Sequence, residues 1–351
     1  MADTISIIVP VYNWKQNLEA ALECLISQKH RELEVIVVDD ASTDGSADVI
    51  AEYVRKDNRF KSISFPENRG VYQARLAGIR SATGKFTGFL DADDTCSESM
   101  FAEMYRQAET NDADLVECNF DVVSDDRIPR EYARPRAYCK GFSPKPVLQG
   151  REVFQSLLNP RSWHAVWNKL FRTDMLQSAV ELLPQTVRLD RCEDLLLCGA
   201  FCQFARKAIY IPGKLYHYHR GDSSLTQVLS AEEIRAYIKD DILALGFCEQ
   251  RLWEDERECF EAKKTAHIRA VLGYVREYGR TNPSGEFRKL LDCVVESYGG
   301  VALLALECDP MGVSGKCTVF FHLMAVLKLC RKHMGAFLKK NGRGFRRKNI
   351  F

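Results

Sequence analysis

An acidic cluster directly follows an apolar run in the first third of the sequence. Residues 86–90 are apolar or small, and Asp91, Asp93 and Asp94 come next. In an extended chain positions 91 and 93 lie on one face, so two carboxylates can converge on one hard cation such as Mg²⁺ or Mn²⁺. Such an ion keeps positions open for phosphate oxygens and neutralises charge on a departing diphosphate. Taken alone, the pattern is equally typical of a solvated acidic turn.

Polar side chains also stand beside three other apolar runs. Tyr12 follows the run at residues 5–9, and Asp39 and Asp40 end the run at 34–38. Glu193 and Asp194 precede an apolar helical pattern. A carboxylate within reach of a hydroxyl can act as a general base, whereas plain capping of the helix dipole is the alternative interpretation of this last pair.

The elements that must position these groups are readable from two periodicities in the first 120 residues. Short apolar runs predict strands at 5–9, 34–38, 60–65, 86–90 and 114–118, and apolar spacing predicts helices at 14–26, 47–54, 70–82 and 97–109. Strands separated by such helices indicate an α/β fold with a mostly parallel sheet flanked by helices. Ligands of these sheets bind beyond the carboxyl ends of the strands, where the polar clusters stand.

The pattern changes beyond residue 120. Residues 124–150 are rich in Arg, Pro and Ser, which predicts a long loop or insert, and helical spacing returns near 153–158 and 193–204. Residues 229–305 indicate a mainly helical C-terminal region. We therefore divide the chain into segments 1–120, 121–228, 229–315 and 316–351.

Composition limits the class of protein. Hydrophobic residues make up 46% and charged residues 28% of the chain, as in globular proteins, which excludes collagen-like and wholly disordered classes. The thirteen cysteines are odd in number and form no CxxC pair, which favours reduced thiols and a cytoplasmic location. The first residues lack a signal-peptide pattern, and no apolar run is long enough to span a membrane.

The charge is unevenly distributed. Ten of the 49 Lys and Arg residues, and none of the 48 acidic residues, follow Asp309. An apolar stretch interleaved with these cations is typical of an amphipathic helix on an anionic membrane surface, so we expect a peripheral association through residues 316–351. The alternative is that this tail packs on the body of the protein. Nucleic acid is not expected as a partner, and a homo-oligomer is left open.

Four blocks of sequence carry a family resemblance. Residues 9–13, residues 37–45, the segment from Asn68 through Arg75 to Gly84, and residues 89–94 together resemble the family 2 glycosyltransferases, which have the GT-A fold. The resemblance is dense over residues 4–120 and weaker to about residue 225. It implies that segment 1–120 is the nucleotide-sugar-binding half and segment 121–228 the acceptor-side portion of one GT-A domain.

The resemblance also implies an activity. Members invert the anomeric centre while moving a sugar from a nucleoside-diphosphate sugar, here with a UDP-sugar favoured, to a hydroxyl of a glycan or lipid-linked acceptor of the cell-surface polysaccharide or lipopolysaccharide type. The rival hypothesis is a nucleotide-sugar-binding scaffold protein on the same fold that lacks catalysis. A nucleotidyltransferase would need a glycine-rich phosphate loop, which residues 9–15 lack.

Roles on the donor side follow from the same resemblance. Pro10 and Tyr12 would lie beside the nucleotide base, where an aromatic ring can stack. Asp39 or Asp40 would accept a hydrogen bond from the base or ribose, with Asp40 favoured for the base. Arg75 would reach the diphosphate with its fork of donors.

The resemblance also implies a metal shell at the acidic cluster. Asp93 would be the principal ligand of Mn²⁺ or Mg²⁺, and Asp91 would bind the metal or the ribose. His219, which shares a strand face with His217, would complete the shell or be a structural histidine, and Arg220 would contact the diphosphate.

On the acceptor side, the resemblance assigns Asp194 as the general base. Glu193 would be the alternative base or a group that orients the acceptor. Trp163 and Trp167 would form either a wall for a sugar ring or part of the core, and Lys169 would contact a phosphate or the acceptor.

Overall fold

A computed structural model describes residues 3–124, 145–160, 162, 164–220, 229–281 and 285–299. Of Arg220 only the backbone is described. Trp163, residues 125–144 of the expected insert and the whole basic tail lie outside the described residues. Among the described residues, no helix is long and apolar enough to cross a membrane.

The described strands form one mixed sheet. Four of them are mutually parallel and lie in the order β3-β2-β1-β4: β1 (Ile5–Val11), β2 (Leu33–Asp39), β3 (Phe60–Ser64) and β4 (Phe86–Phe89). The sheet continues beyond β4 in the order β8-β6-β9-β5, with β7 also paired to β9: β5 (Thr95–Cys96), β6 (Leu115–Ser124), β7 (Val147–Gln149), β8 (Lys169–Arg172) and β9 (Lys207–Arg220). Strand β8 is antiparallel to both of its neighbours, while β6 and β9 are parallel.

Helices flank this sheet and make up the C-terminal part. They are α1 (Lys15–Ile26), α2 (Ser46–Lys56), α3 (Val71–Ser81), α4 (Met100–Asn111), α5 (Glu152–Leu158), α6 (Thr173–Val180), α7 (Glu193–Phe201), α8 (Ala231–Glu249), α9 (Arg257–Thr281) and α10 (Gly285–Tyr298). All seven residues of β1 and of β2 are buried, as expected for strands covered on both faces.

The predicted α/β class with a helical C-terminal part is confirmed, and each strand and helix predicted before residue 120 is present within a few residues of its expected bounds. Two features differ from the expectation. Strand β6 continues to Ser124 and β7 occupies Val147–Gln149, so the ends of the segment predicted as a loop are strands.

The chain divides into two compact units. The first contains Met1–Gln227 and Leu243–Lys263, and the second contains Val228–Ile242 and the chain from Lys264 onward. All of the residues to which the sequence assigned a role in the site belong to the first unit.

Candidate functional site

The carboxyl ends of three neighbouring strands meet at one edge of the sheet. Strands β1, β2 and β4 are adjacent and parallel, so Tyr12, Asp40 and Asp91, which follow them, lie along the same edge. Pro10 is buried within β1 opposite Val38, whereas Tyr12 is 45% exposed. An exposed aromatic ring at a strand end is available for stacking against a flat ligand.

Asp39 and Asp40 are both buried but have different partners. The two carboxylate oxygens of Asp40 accept the backbone N–H groups of Arg69 and Gly70 at 2.6 Å and 2.8 Å. Burial raises the pKa of Asp40. One oxygen of Asp39 accepts the backbone N–H of Ser42 at 3.0 Å. Asp40 therefore fixes the turn that leads into α3, and each of its oxygens has a further lone pair that can accept a hydrogen bond.

Arg75 lies at the centre of a buried ionic cluster. It is 3% exposed, and its Nη2 donates to Asp91 Oδ1 at 2.8 Å. Its Nη1 donates to Asp194 Oδ1 at 2.6 Å and also to Glu193. One guanidinium therefore joins the acidic turn after β4 to the first turn of α7. The structure brings together four residues that the sequence singled out separately.

Burial and the neighbouring charged groups both affect the pKa of Asp194. Burial raises the pKa of this carboxyl to about 7, while the Arg75 guanidinium opposes the rise and Glu193 and Asp91 add to it. A carboxyl with a pKa close to neutrality is suited to accepting a proton and releasing it again.

Two carboxyl groups of the acidic turn, those of Asp94 and Asp93, differ in their hydrogen bonds. Asp94 accepts the Tyr216 hydroxyl at 2.6 Å and the backbone N–H of His219 at 2.7 Å, so it anchors β9. In the described part of the chain, the Asp93 carboxylate has no donor other than its own backbone N–H. Burial, together with the charge of Asp91, raises the pKa of Asp93 to about 7. Asp93 and Asp91 carry carboxylate oxygens, the type of ligand that Mg²⁺ and Mn²⁺ prefer.

Strand β9 places its histidines next to this turn. His219 Nε2 lies 2.8 Å from Thr95 Oγ1, and burial lowers the pKa of the His219 imidazole, which favours its neutral form. The neutral form is the one that binds metals. Arg220 is the last residue of β9 and pairs with Ser124, and its predicted role stays a prediction.

The residues expected near the acceptor have structural partners. Trp167 is 4% exposed and stacks on Tyr216 at 4.2 Å between ring centroids, so it belongs to the core. Lys169 is buried, and its Nζ donates to the Ala165 carbonyl at 2.8 Å and to Asn168 Oδ1 at 2.9 Å.

The sequence reasoning missed two residues at this edge. One is Tyr216, whose hydroxyl donates to Asp94. The other is Arg188, whose Nη1 donates to the Asn68 carbonyl at 3.2 Å. Its only signal in the sequence is its position five residues before Glu193, since no periodicity marks the segment.

Several known proteins are similar in sequence to this chain. The model of the glycosyl transferase family 2 matches residues 6–175. The uncharacterized glycosyltransferase EpsJ of Bacillus subtilis (strain 168) is 32% identical over 228 residues, which cover 65% of this chain and 64% of that protein. Residues 6–175 therefore form a glycosyl transferase family 2 domain.

Two further relatives are a putative glycosyltransferase and a polysaccharide biosynthesis protein. The putative glycosyltransferase EpsH of Bacillus subtilis (strain 168) is 32% identical over 223 residues, covering 64% of this chain and 62% of that protein. The succinoglycan biosynthesis protein ExoO of Rhizobium meliloti (strain 1021) is 28% identical over 239 residues, covering 68% and 66%. The chain spans less than two thirds of the length of EpsJ and EpsH.

Solved structures share the fold. Residues 1–349 of TarS from S. aureus align with a TM-score of 0.62 at 17% identity, covering 99% of this chain and 94% of that one. The same TarS fragment in complex with UDP-GlcNAc aligns at 0.56 with 18% identity, covering 89% and 95%. Mannosyltransferase PcManGT from Pyrobaculum calidifontis, in complex with GDP-Man and Mn²⁺, aligns at 0.51 with 15% identity, covering 93% and 86%.

Proposed function

We propose that this chain is a family 2 glycosyltransferase that transfers a sugar, with inversion, from a nucleoside-diphosphate sugar to a hydroxyl of a glycan or lipid-linked acceptor. The names of EpsJ and EpsH support a glycosyltransferase activity, and the name of ExoO supports an acceptor that belongs to a polysaccharide. The UDP-GlcNAc complex of TarS supports a UDP-sugar as the donor.

The observation that carries the proposal is the buried Arg75 cluster. Its guanidinium binds Asp91, on the donor side, and Asp194, the candidate base, at the same time. Inversion in one displacement requires a base on the face of the sugar opposite the leaving diphosphate. A single rigid cation between the two sites would fix their separation, which is the geometric condition for such a displacement.

This cluster also changes the role that we assign to Arg75. Nη1 already donates to two carboxylates and Nη2 to a third, so three of its five N–H donors are engaged within the cluster. We therefore assign Arg75 as a positioning residue for Asp91 and Asp194. Arg220 is the better candidate for the diphosphate contact.

Asp194 would accept the proton of the acceptor hydroxyl as that oxygen attacks the anomeric carbon. Glu193 shares the Arg75 guanidinium with Asp194, so it would hold the cluster together or orient the acceptor. The deprotonated Asp194 is the competent form at the start of the step.

The carboxylates of Asp93 and Asp91 would hold a divalent cation, with His219 as a further candidate ligand. Burial, and then the charge of Asp91, raise the pKa of Asp93, and the positive charge of a bound cation would offset both. A Mn²⁺ or Mg²⁺ ion there would supply charge neutralisation at the departing diphosphate. The Mn²⁺ in the PcManGT complex supports this choice of metal.

The test combines turnover with donor binding. Nucleoside diphosphate release is followed for a panel of nucleotide sugars with Mn²⁺, and donor binding is followed by calorimetry. Asp194→Asn should lose at least about a hundredfold in turnover and keep donor binding, because only proton transfer is removed. Asp174→Asn, an exposed acid in the first turn of α6, is the matched control and should stay active.

Near-normal turnover of Asp194→Asn would remove Asp194 as the base. Nucleotide binding by the wild type with no turnover on any donor or acceptor would favour the scaffold hypothesis instead. For the metal, Asp93→Ala should abolish the dependence of donor binding on Mn²⁺ while thermal unfolding stays cooperative; unchanged Mn²⁺ dependence would contradict that assignment.

A further inference from the structure

A short segment between α6 and α7 crosses the rim of the strand-end site. It is held on α3 by three hydrogen bonds to its backbone carbonyls. Tyr72 donates to Pro184 at 2.9 Å, and Gln73 Nε2 donates to Gln185 at 3.1 Å and to Val187 at 2.7 Å. These bonds fix the position of the residues that follow, Arg188 to Asp190.

Arg188 and Asp190 lie directly on Gly70. A Cβ atom at Gly70 would stand 3.0 Å from Asp190 Oδ1 and 3.2 Å from Arg188 Cγ, and Gly70 has a φ of +88°. The backbone N–H of Gly70 donates to Asp40, so the segment sits against the turn that Asp40 organises. Only glycine allows so close an approach in this backbone conformation.

The guanidinium of Arg188 is fixed on two sides and open on the third. Its Nε donates to both oxygens of Asp190, at 3.2 Å and 3.0 Å, and its Nη1 donates to the Asn68 carbonyl. Among the described residues Nη2 has no hydrogen-bond partner. The side chain is 54% exposed, so this free donor faces solvent.

The Arg188 guanidinium lies near the residues that are expected to contact the nucleotide base. Asp190, and then Asp40 and Tyr12, raise the pKa of the Arg188 guanidinium, so these groups share one neighbourhood. Tyr12 offers an exposed ring for stacking, and Asp40 offers carboxylate oxygens with spare acceptor capacity. The rim therefore presents one flat surface, one acceptor and one pre-oriented donor.

This set complements one type of nucleobase edge. Uracil and guanine present a carbonyl oxygen next to a ring N–H, which require a donor beside an acceptor. Cytosine and adenine present an amino group instead of the carbonyl, and a guanidinium cannot accept its hydrogen. A fixed arginine therefore favours uracil and guanine over cytosine and adenine.

On the basis of the proposed function, we propose that Arg188 reads the base of the donor nucleotide, by donating from Nη2 to the carbonyl of a uracil or guanine ring held between Tyr12 and Asp40. Asp190 is the positioning residue that orients the guanidinium. The segment thereby selects UDP- or GDP-sugars over CDP- and ADP-sugars.

The test measures dissociation constants of UDP, GDP, CDP and ADP with Mn²⁺ by calorimetry on the full chain. We expect the wild type to bind UDP or GDP at least about tenfold more tightly than CDP and ADP. The comparison of UDP with GDP identifies which of the two bases is preferred. Arg188→Ala should weaken the preferred nucleotide about tenfold and change CDP and ADP less than about twofold. Arg188→Lys keeps the charge without the fork and should not restore the discrimination.

Arg106→Ala is the matched control, because Arg106 is 58% exposed and pairs with Glu103 on α4. It should leave all four constants unchanged. Equal weakening of all four nucleotides in Arg188→Ala, or an unchanged base preference, would overturn the inference while leaving the transferase proposal intact. A wild type that binds none of the four would overturn both.

Discussion

At the scale of single residues, the site depends on one arginine that serves three carboxylates. Arg75 binds Asp91, Glu193 and Asp194 while almost fully buried. Burying charges is costly unless they are paired, so the cluster is stable only as a whole. The sequence predicts each member from its local motif. It does not predict that they meet, because a contact across 119 positions depends on how α3 and α7 pack.

Removing the Arg75 guanidinium should therefore destabilise the fold. We expect Arg75→Met to lower the free energy of unfolding by about 3 kcal/mol at pH 8, because three carboxylates are left without their partner. The deficit should shrink near pH 5, where those carboxyl groups can take up protons. Urea unfolding at both pH values measures it. Arg106→Met, which removes an exposed pair, should leave the free energy of unfolding nearly unchanged; an equally small effect of Arg75→Met would contradict the prediction.

The pKa of Asp194 sets the expected pH dependence of turnover. The base must be ionised, and burial raises its pKa to about 7. Turnover should therefore level off above about pH 8 and fall about tenfold for each pH unit below 7. Initial rates with saturating donor and Mn²⁺ between pH 5.5 and 9 measure this profile. A rate that stays constant down to pH 5.5 would exclude a base with this pKa.

At the scale of elements, helix α3 shows why close packing matters to the site. It carries Arg75, and three residues later Gly78 lies against β1. A Cβ at Gly78 would stand 2.5 Å from Ile8 Cγ2, so the helix could not sit at its present distance from the sheet. The position of Arg75 at the strand ends depends on that distance.

A pair of glycine substitutions tests this contact. Gly78→Ala should lower the free energy of unfolding by about 1–2 kcal/mol, because overpacking outweighs the gain in helix propensity. Gly246→Ala in α8 is the matched control, since a Cβ there meets nothing within 4 Å. It should raise the free energy of unfolding by about 0.5–1 kcal/mol. Thermal and urea unfolding distinguish the two, and equal effects would show that α3 can shift.

The long periodic elements could be predicted from sequence and the short ones could not. Helices α1 to α4 and strands β1 to β3 carry enough apolar positions to define a period, and the short β4 is marked instead by the acidic cluster that directly follows its apolar run. Strands β7 and β8 have three and four residues, too few for a period, and they form because neighbouring strands supply partners. The Arg188 segment has no period either, and only the hydrogen bonds from α3 reveal where it lies.

At the scale of the whole molecule, charge separates an acidic body from a basic tail. Ten Lys and Arg residues follow Asp309 in the sequence, and all 48 acidic residues precede them. The tail, residues 316–351, lies outside the described residues, so the hypothesis of a membrane contact depends on its composition. An apolar stretch followed by clustered cations binds anionic lipid through both burial and charge.

Sedimentation with lipid vesicles tests this hypothesis. We expect the full chain to bind vesicles rich in phosphatidylglycerol, with binding weakened by salt because surface charges are screened. Deletion after residue 315 should abolish binding. A full-length variant with Lys339, Lys340, Arg346 and Arg347 changed to Gln separates charge from apolar burial, and it should bind at least about a hundredfold more weakly, since each basic residue contributes about 1 kcal/mol. Equal binding by the truncated chain would mean that the membrane contact lies on the acidic body.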